Sequence, residues 1–126
     1  MRFAYADTSF VLSLAFAERP SKRTQHRFGD FDGVFVSHFL DADYQSTFRR
    51  DNLAPPREFL MAIRWVDSAT PLTEQITRVL DAGYVRGADC WHLATALFAA
   101  REPKEWTFLT FDVRQRAVAK TLGFRV

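Results

Sequence analysis

Apolar residues come in blocks of two kinds along this chain. Phe3-Ala4-Tyr5-Ala6, Val34-Phe35-Val36 and Trp106-Thr107-Phe108-Leu109-Thr110 are short runs, too short for helices and of the kind that buried strands show. The longer blocks carry apolar positions at helical spacing and predict helices over Phe10 to Ala17, His38 to Arg50, Arg57 to Arg64, Leu72 to Asp81, Ala88 to Ala100 and Val113 to Leu122. Punctuation residues agree with these limits. Asp7-Thr8-Ser9 and Ser37 can cap the helices that follow them, Pro55-Pro56 and Pro71 stand at helix starts, and Gly83 and Gly123 at helix ends. Glu18-Arg19-Pro20-Ser21 breaks the first helix, a short helix or irregular arm covers Ser21 to Phe28, and Gly29 to Gly33 is a turn region. Trp65-Val66 is open between loop and short edge strand, and Phe124-Arg125-Val126 can add a last strand.

Strands alternating with helices predict a parallel sheet covered on both faces. No repeat, low-complexity stretch or linker divides the chain, so residues 1–126 read as one domain. In such a sheet the chemistry collects where the strands end. Asp7 directly ends the strand predicted to be central, and Asp112 follows the last strong strand.

Two more acids stand out by position. On the 38–50 helix, Asp43 lies between Phe39 and Thr47 on the apolar arc, whereas Asp41 falls outside it with Gln45 and Arg49. Asp89 shares a face with His92, Leu93, Ala96 and Ala100, small enough to approach a sheet closely. Each has a plainer reading: Asp43 borders its face and pairs with Arg50, Asp89 complements its own helix dipole, and Asp112 caps the last helix. Isolated acids among apolar residues are costly unless paired or metal-bound. Several at one sheet edge would suit a hard divalent cation and phosphodiester hydrolysis.

Composition narrows the rest. The 126 residues are 48% hydrophobic with 13 phenylalanines, enough for a real core. A net charge of +2 is compatible with a nucleic-acid substrate without requiring one. The single cysteine, Cys90, excludes an internal disulfide framework and a cysteine zinc cluster. Cys90 and His92, two apart on a helix, point different ways and make a poor ligand pair. No Gly-rich phosphate loop or nucleophile elbow is present. The opening residues lack a signal-peptide pattern and no apolar run nears the roughly 20 residues of a membrane span, so the expectation is a soluble cytoplasmic protein.

The stretches FAYADTSFVLSL, LDADYQSTFRR, RGADCWHLATAL and FLTFDVRQRAVAKTLGF, in this order, resemble the four acidic motifs of PIN-domain ribonucleases. The likeness is greatest to the VapC-type toxins of type II toxin–antitoxin pairs. It implies a PIN-like three-layer α/β/α sandwich with a short, mostly parallel sheet. It implies an endoribonuclease using Mg²⁺, or Mn²⁺, held by Asp7, Asp43, Asp89 and Asp112, with Thr110 in an accessory polar position. The partners implied are an RNA substrate, a cognate antitoxin and a second copy in a homodimer. The chain departs from the pattern in having Asp43 where glutamate is usual, and in being compact between Ala17 and Val34. A PIN nuclease of RNA processing and an inactive PIN-like binding module stay open beside the toxin. Arg49, Arg50, Arg86, Arg114 and Arg116 are candidates for the RNA backbone, and Thr8 and Ser9 for orienting a carboxylate or simple capping.

Overall fold

The computed structural model describes residues 1–16 and 29–126, with the side chains at 58 and 59 excepted. Strands β1 (Phe3–Ala6), β2 (Gly33–Ser37), β3 (Arg64–Val66) and β4 (Trp106–Leu109) form one sheet in the order β3-β2-β1-β4. Every pairing is parallel. The helices are α1 (Thr8–Phe16), α2 (Phe39–Arg50), the single turn α3 (Glu58–Met61), α4 (Thr73–Ala82), α5 (Gly87–Ala99) and α6 (Val113–Thr121). A 3₁₀ turn, Pro103–Glu105, leads into β4.

Side-chain alternation along β1 divides the interior into two cores. Ala4 and Ala6 face Phe10, Val11 and Leu14 of α1 and Leu40, Tyr44 and Phe48 of α2. Tyr5 faces Val79 of α4, Leu93, Ala94 and Leu97 of α5, and Val118 and Ala119 of α6. The fold is therefore the predicted α/β/α sandwich, with Ala4, Tyr5 and Ala6 of β1 fully buried at its centre. Ala at alternate positions of a central strand lets α1 and α2 pack close. Gly83 serves the other face in the same way: a Cβ there would stand 2.9 Å from Val118 Cγ2, where α4 ends against α6.

Two segments depart from the sequence expectation. The helix predicted over Arg57 to Arg64 is one turn long, because the chain gives up Arg64, Trp65 and Val66 to pair with Phe35, Val36 and Ser37 of β2. The last residues add one bridge, Thr107 with Arg125, rather than a strand; Arg125 N–H donates to Trp106 O and Phe108 N–H to Arg125 O. The arm predicted over Ser21 to Phe28 lies outside the described residues. Among the described residues no helix is long and apolar enough to cross a membrane.

Topology decides where a site can form. From β1 the chain runs outward through β2 to β3, then returns past β1 to build β4 on its other side. After β1 it passes to one face in α1, and after β4 to the opposite face in α6. The carboxyl ends of β1 and β4 thus diverge at a switch in strand order, which opens a crevice in doubly wound sheets. Asp7 and Asp112 stand at these two ends.

Candidate active site

Asp7 is locked in place by its neighbours. Its N–H donates to Leu109 O at the end of β4 (3.1 Å). Its carboxylate, 3% exposed, accepts from three donors. Ser9 Oγ (2.8 Å) and Phe10 N–H (3.0 Å) reach Oδ1, and Thr110 Oγ1 (2.6 Å) reaches Oδ2. Asp7 thus caps α1 and ties it to β4. Burial raises its pKa; the donors from Thr110, Phe10 and Ser9 oppose this, and the Asp89 charge adds to it.

Asp112 caps α6, accepting Gln115 N–H on Oδ1 at 2.7 Å. The capping role expected from sequence and a place beside the other acids hold together. Asp112-Val113-Arg114-Gln115 has the spacing of a capping box, in which Gln would reach back to the cap N–H. Here Thr110 Oγ1 takes the Asp112 N–H instead (3.0 Å). Gln115, fully buried, turns inward: Oε1 lies 3.0 Å from Thr110 Oγ1, and Nε2 donates to Asp89 O at 3.3 Å. Gln115 thereby joins the α5 and α6 acids and is a site residue that the sequence reading missed. Its signal was the capping-box spacing without a free N–H to cap.

Asp89, in the first turn of α5, is partly exposed. Among the described residues no donor reaches its carboxylate. Its pKa is raised by burial and then by the charge of Asp112, while Arg86 pulls the other way. Asp89 thus acts on Asp7, and Asp112 on Asp89, although the three come from separate segments.

Asp43 reaches from α2 to the start of α1. Its Oδ2 accepts from Thr8 Oγ1 at 3.2 Å, directly after Asp7 in the chain. The plainer pairing with Arg50 does not form, since Arg50 lies 3.4 Å from Asp51 instead. Asp41 accepts from Gln45 Nε2 (2.8 Å) and lines a different cavity of about 400 Å³ with Pro55, Arg57 and Trp65. The helical-wheel distinction between the two acids matches this geometry.

His92 is buried on α5, with Nε2 3.1 Å from Thr8 Oγ1 and Nδ1 2.8 Å from Tyr5 Oη. Burial pulls its pKa down to about 4. Folding therefore favours the neutral ring. The contribution is complete above the unfolded value near 6.5 and is lost as pH falls through the folded value near 4. This loss amounts to about 3 kcal/mol. Urea unfolding of the wild type and of His92→Gln, compared from pH 7 to 4, should show the wild type losing more stability on acidification. Parallel curves would remove His92 from the acid response. Cys90 is buried on the opposite side of α5, its Sγ 4.0 Å from Ile76 O, and is a core residue.

The candidate basic residues differ in use. Arg116 donates to Thr110 O at 2.9 Å and so braces the β4 end, while Arg49, Arg86 and Arg114 are exposed. Of the apolar residues before Arg64, Phe10 and Phe48 belong to the core, and Phe16 and Phe39 are about two-fifths exposed. Among the described residues no three acidic, histidine or cysteine side chains form a ready-made metal cage. Compared with family models, with curated proteins and with solved structures, the chain matches none.

Proposed function

We propose that this protein is a divalent-metal-dependent endoribonuclease of the PIN type, acting as the toxin of a VapC-like toxin–antitoxin pair in the cytoplasm. One observation carries the hydrolytic part: Asp89 acts electrostatically on Asp7 and Asp112 on Asp89 near the strand ends, and Asp43 reaches Thr8, the residue after Asp7. The donor set suits Mg²⁺ or Mn²⁺, since it is all carboxylate oxygen and Asp89 is left without a donor among the described residues. An open arrangement is also what Mg²⁺ uses, because it keeps several waters and takes only one or two carboxylates plus substrate phosphate. Asp7, Asp89 and Asp112 would hold the cation, and Asp43 would complete the set. When bound, the cation polarises the phosphate and acidifies a water.

The chain's own residues supply the rest. Ser9, Phe10 and Thr110 fix the Asp7 carboxylate and use three of its roughly four acceptor sites. Asp43 accepts a proton of the attacking water and aligns it. Hydrolysis then forms one water-oxygen-to-phosphorus bond and breaks the bridging phosphorus–oxygen bond, the leaving oxygen taking up a proton. Exposed Arg86 and Arg114, flanking Asp89 and Asp112, attract the RNA backbone, which makes binding salt-dependent. Exposed Phe16 and Phe39 offer apolar area to a cognate antitoxin or to a second copy in a homodimer.

The test is direct. Purified protein should cut structured RNA with Mg²⁺ or Mn²⁺, stop cutting in chelator, and lose activity on Asp7→Asn with the fold retained. Equal cleavage by wild type and variant would reject the assignment. Relief of growth arrest by a small co-expressed partner would separate the toxin from a processing nuclease.

A further inference from the structure

We infer that His92 is a positioning residue for Asp43, acting through Thr8 in a chain that begins at Tyr5. The inference rests on the acidic crevice being the reacting site, and it adds a buried neutral group behind it. Four side chains from four elements lie in sequence: Tyr5 Oη to His92 Nδ1 at 2.8 Å, His92 Nε2 to Thr8 Oγ1 at 3.1 Å, and Thr8 Oγ1 to Asp43 Oδ2 at 3.2 Å.

Proton counting gives this chain a direction. A neutral imidazole carries one N–H, and the Tyr5 and Thr8 hydroxyls one proton each. If Tyr5 donates to Nδ1, the ring proton sits on Nε2 and points to Thr8. The Thr8 proton is then free for Asp43, and each donor has one acceptor. In the opposite order Nδ1–H donates to Tyr5, and Nε2 claims the single Thr8 proton, so Asp43 loses its donor. A hydroxyl donating to a carboxylate makes a charge-assisted bond, roughly twice as strong as the bond to a neutral ring nitrogen.

The ring is held for this task. Tyr5 meets it edge-on at 6.0 Å and Phe39 at 5.8 Å, and Tyr5 itself stacks on Phe108 at 5.5 Å. Aspartate is one methylene shorter than the glutamate the resemblance leads one to expect at this position. Its reach into the crevice is correspondingly more sensitive to how Thr8 anchors it. Histidine in this role orients a neighbour, much as outer groups orient metal ligands, where their loss typically costs about 10–100-fold.

Two measurements on the full chain decide the matter. Imidazole ¹⁵N spectra of metal-free protein at pH 7.5, with the His92 signals assigned by their loss in His92→Gln, should show the proton on Nε2 and a bare Nδ1. Asp43→Asn should move the Nε2 resonance and Asp41→Asn should leave it in place. The reverse tautomer, or no response to Asp43→Asn, overturns the inference whether or not the protein cuts RNA. In cleavage assays Thr8→Val and His92→Phe should each lower kcat about tenfold or more, with Thr8→Ser recovering most of it. The Thr8→Val/His92→Phe pair should be no worse than either alone, because both break one chain. Additive losses would place His92 outside it. If the wild type cuts no RNA, the nuclease reading fails while the tautomer and its response to Asp43 still decide the chain.

Discussion

Asp89→Asn is expected to raise the Tm of the metal-free protein near pH 7.5 while lowering RNA cleavage by more than about 100-fold, the upper range for losing even an indirect metal partner. The two effects share one cause. Burial and then Asp112 raise the Asp89 pKa in the folded state. The native protein thus holds this proton more tightly than the unfolded chain does. Below the unfolded value both states are protonated and there is no cost. As pH rises through the folded value the native state must ionise against burial and a like charge, and the cost is present in full above it. Asparagine is neutral at every pH, so the variant gains stability at neutral pH and loses that advantage on acidification. A cation reverses the comparison. Mg²⁺ that binds only the native protein stabilises it by about 2.7 kcal/mol at 100 times Kd, and this gain should fall to the wild type alone. Thermal unfolding with chelator and with Mg²⁺, at two pH values, measures all four cases. An Asn variant that is less stable in chelator, or that keeps the full Mg²⁺ shift, would show that Asp89 is a structural acid.

Much of the fold could be read from pattern alone, because its cause is local. Central strands buried on both faces read as unbroken apolar runs, and FAYA, GVFVS and WTFL all lie in the sheet. The helix ends were legible where a cap or a glycine marks them, as at Asp112 and Gly83. Legibility failed where tertiary pairing overrode local preference. Nothing in Arg57 to Arg64 announces that its end will join the sheet edge, since β2 supplies the reason from a distance. The acids were individually visible, but their placement depends on strand order, and order is set by two cores that no single segment encodes. Gln115 and His92 were harder still. Their partners lie elsewhere in the fold: Thr110 and Asp89 for Gln115, Tyr5 and Thr8 for His92.

Asp43→Asn is expected to cut metal-dependent cleavage by about 100-fold or more, and Asp41→Asn to change it less than about twofold, although the two residues lie two positions apart on one helix. Successive positions on a helix are turned by 100°, so a separation of two places side chains on nearly opposite sides. Asp43 meets Thr8 in the crevice, whereas Asp41 bonds Gln45 on the flank toward Pro55 and Trp65. Neither substitution removes packing volume, so unfolding curves should nearly coincide and loss of fold cannot mimic loss of chemistry. The pair also separates catalysis from electrostatic attraction of RNA. Each removes one negative charge, and a general effect on the approach of a polyanion would move both alike and fade with salt. A selective effect of Asp43 that persists at high salt requires a positioned oxygen. Asp43→Glu refines the reading: its extra methylene lengthens the reach, and activity near or above wild type would mean that Thr8 can hold either acid in the crevice. The opposite ranking, with Asp41 essential and Asp43 dispensable, would mean that the reacting centre lies on the Trp65 flank and not at the switch point.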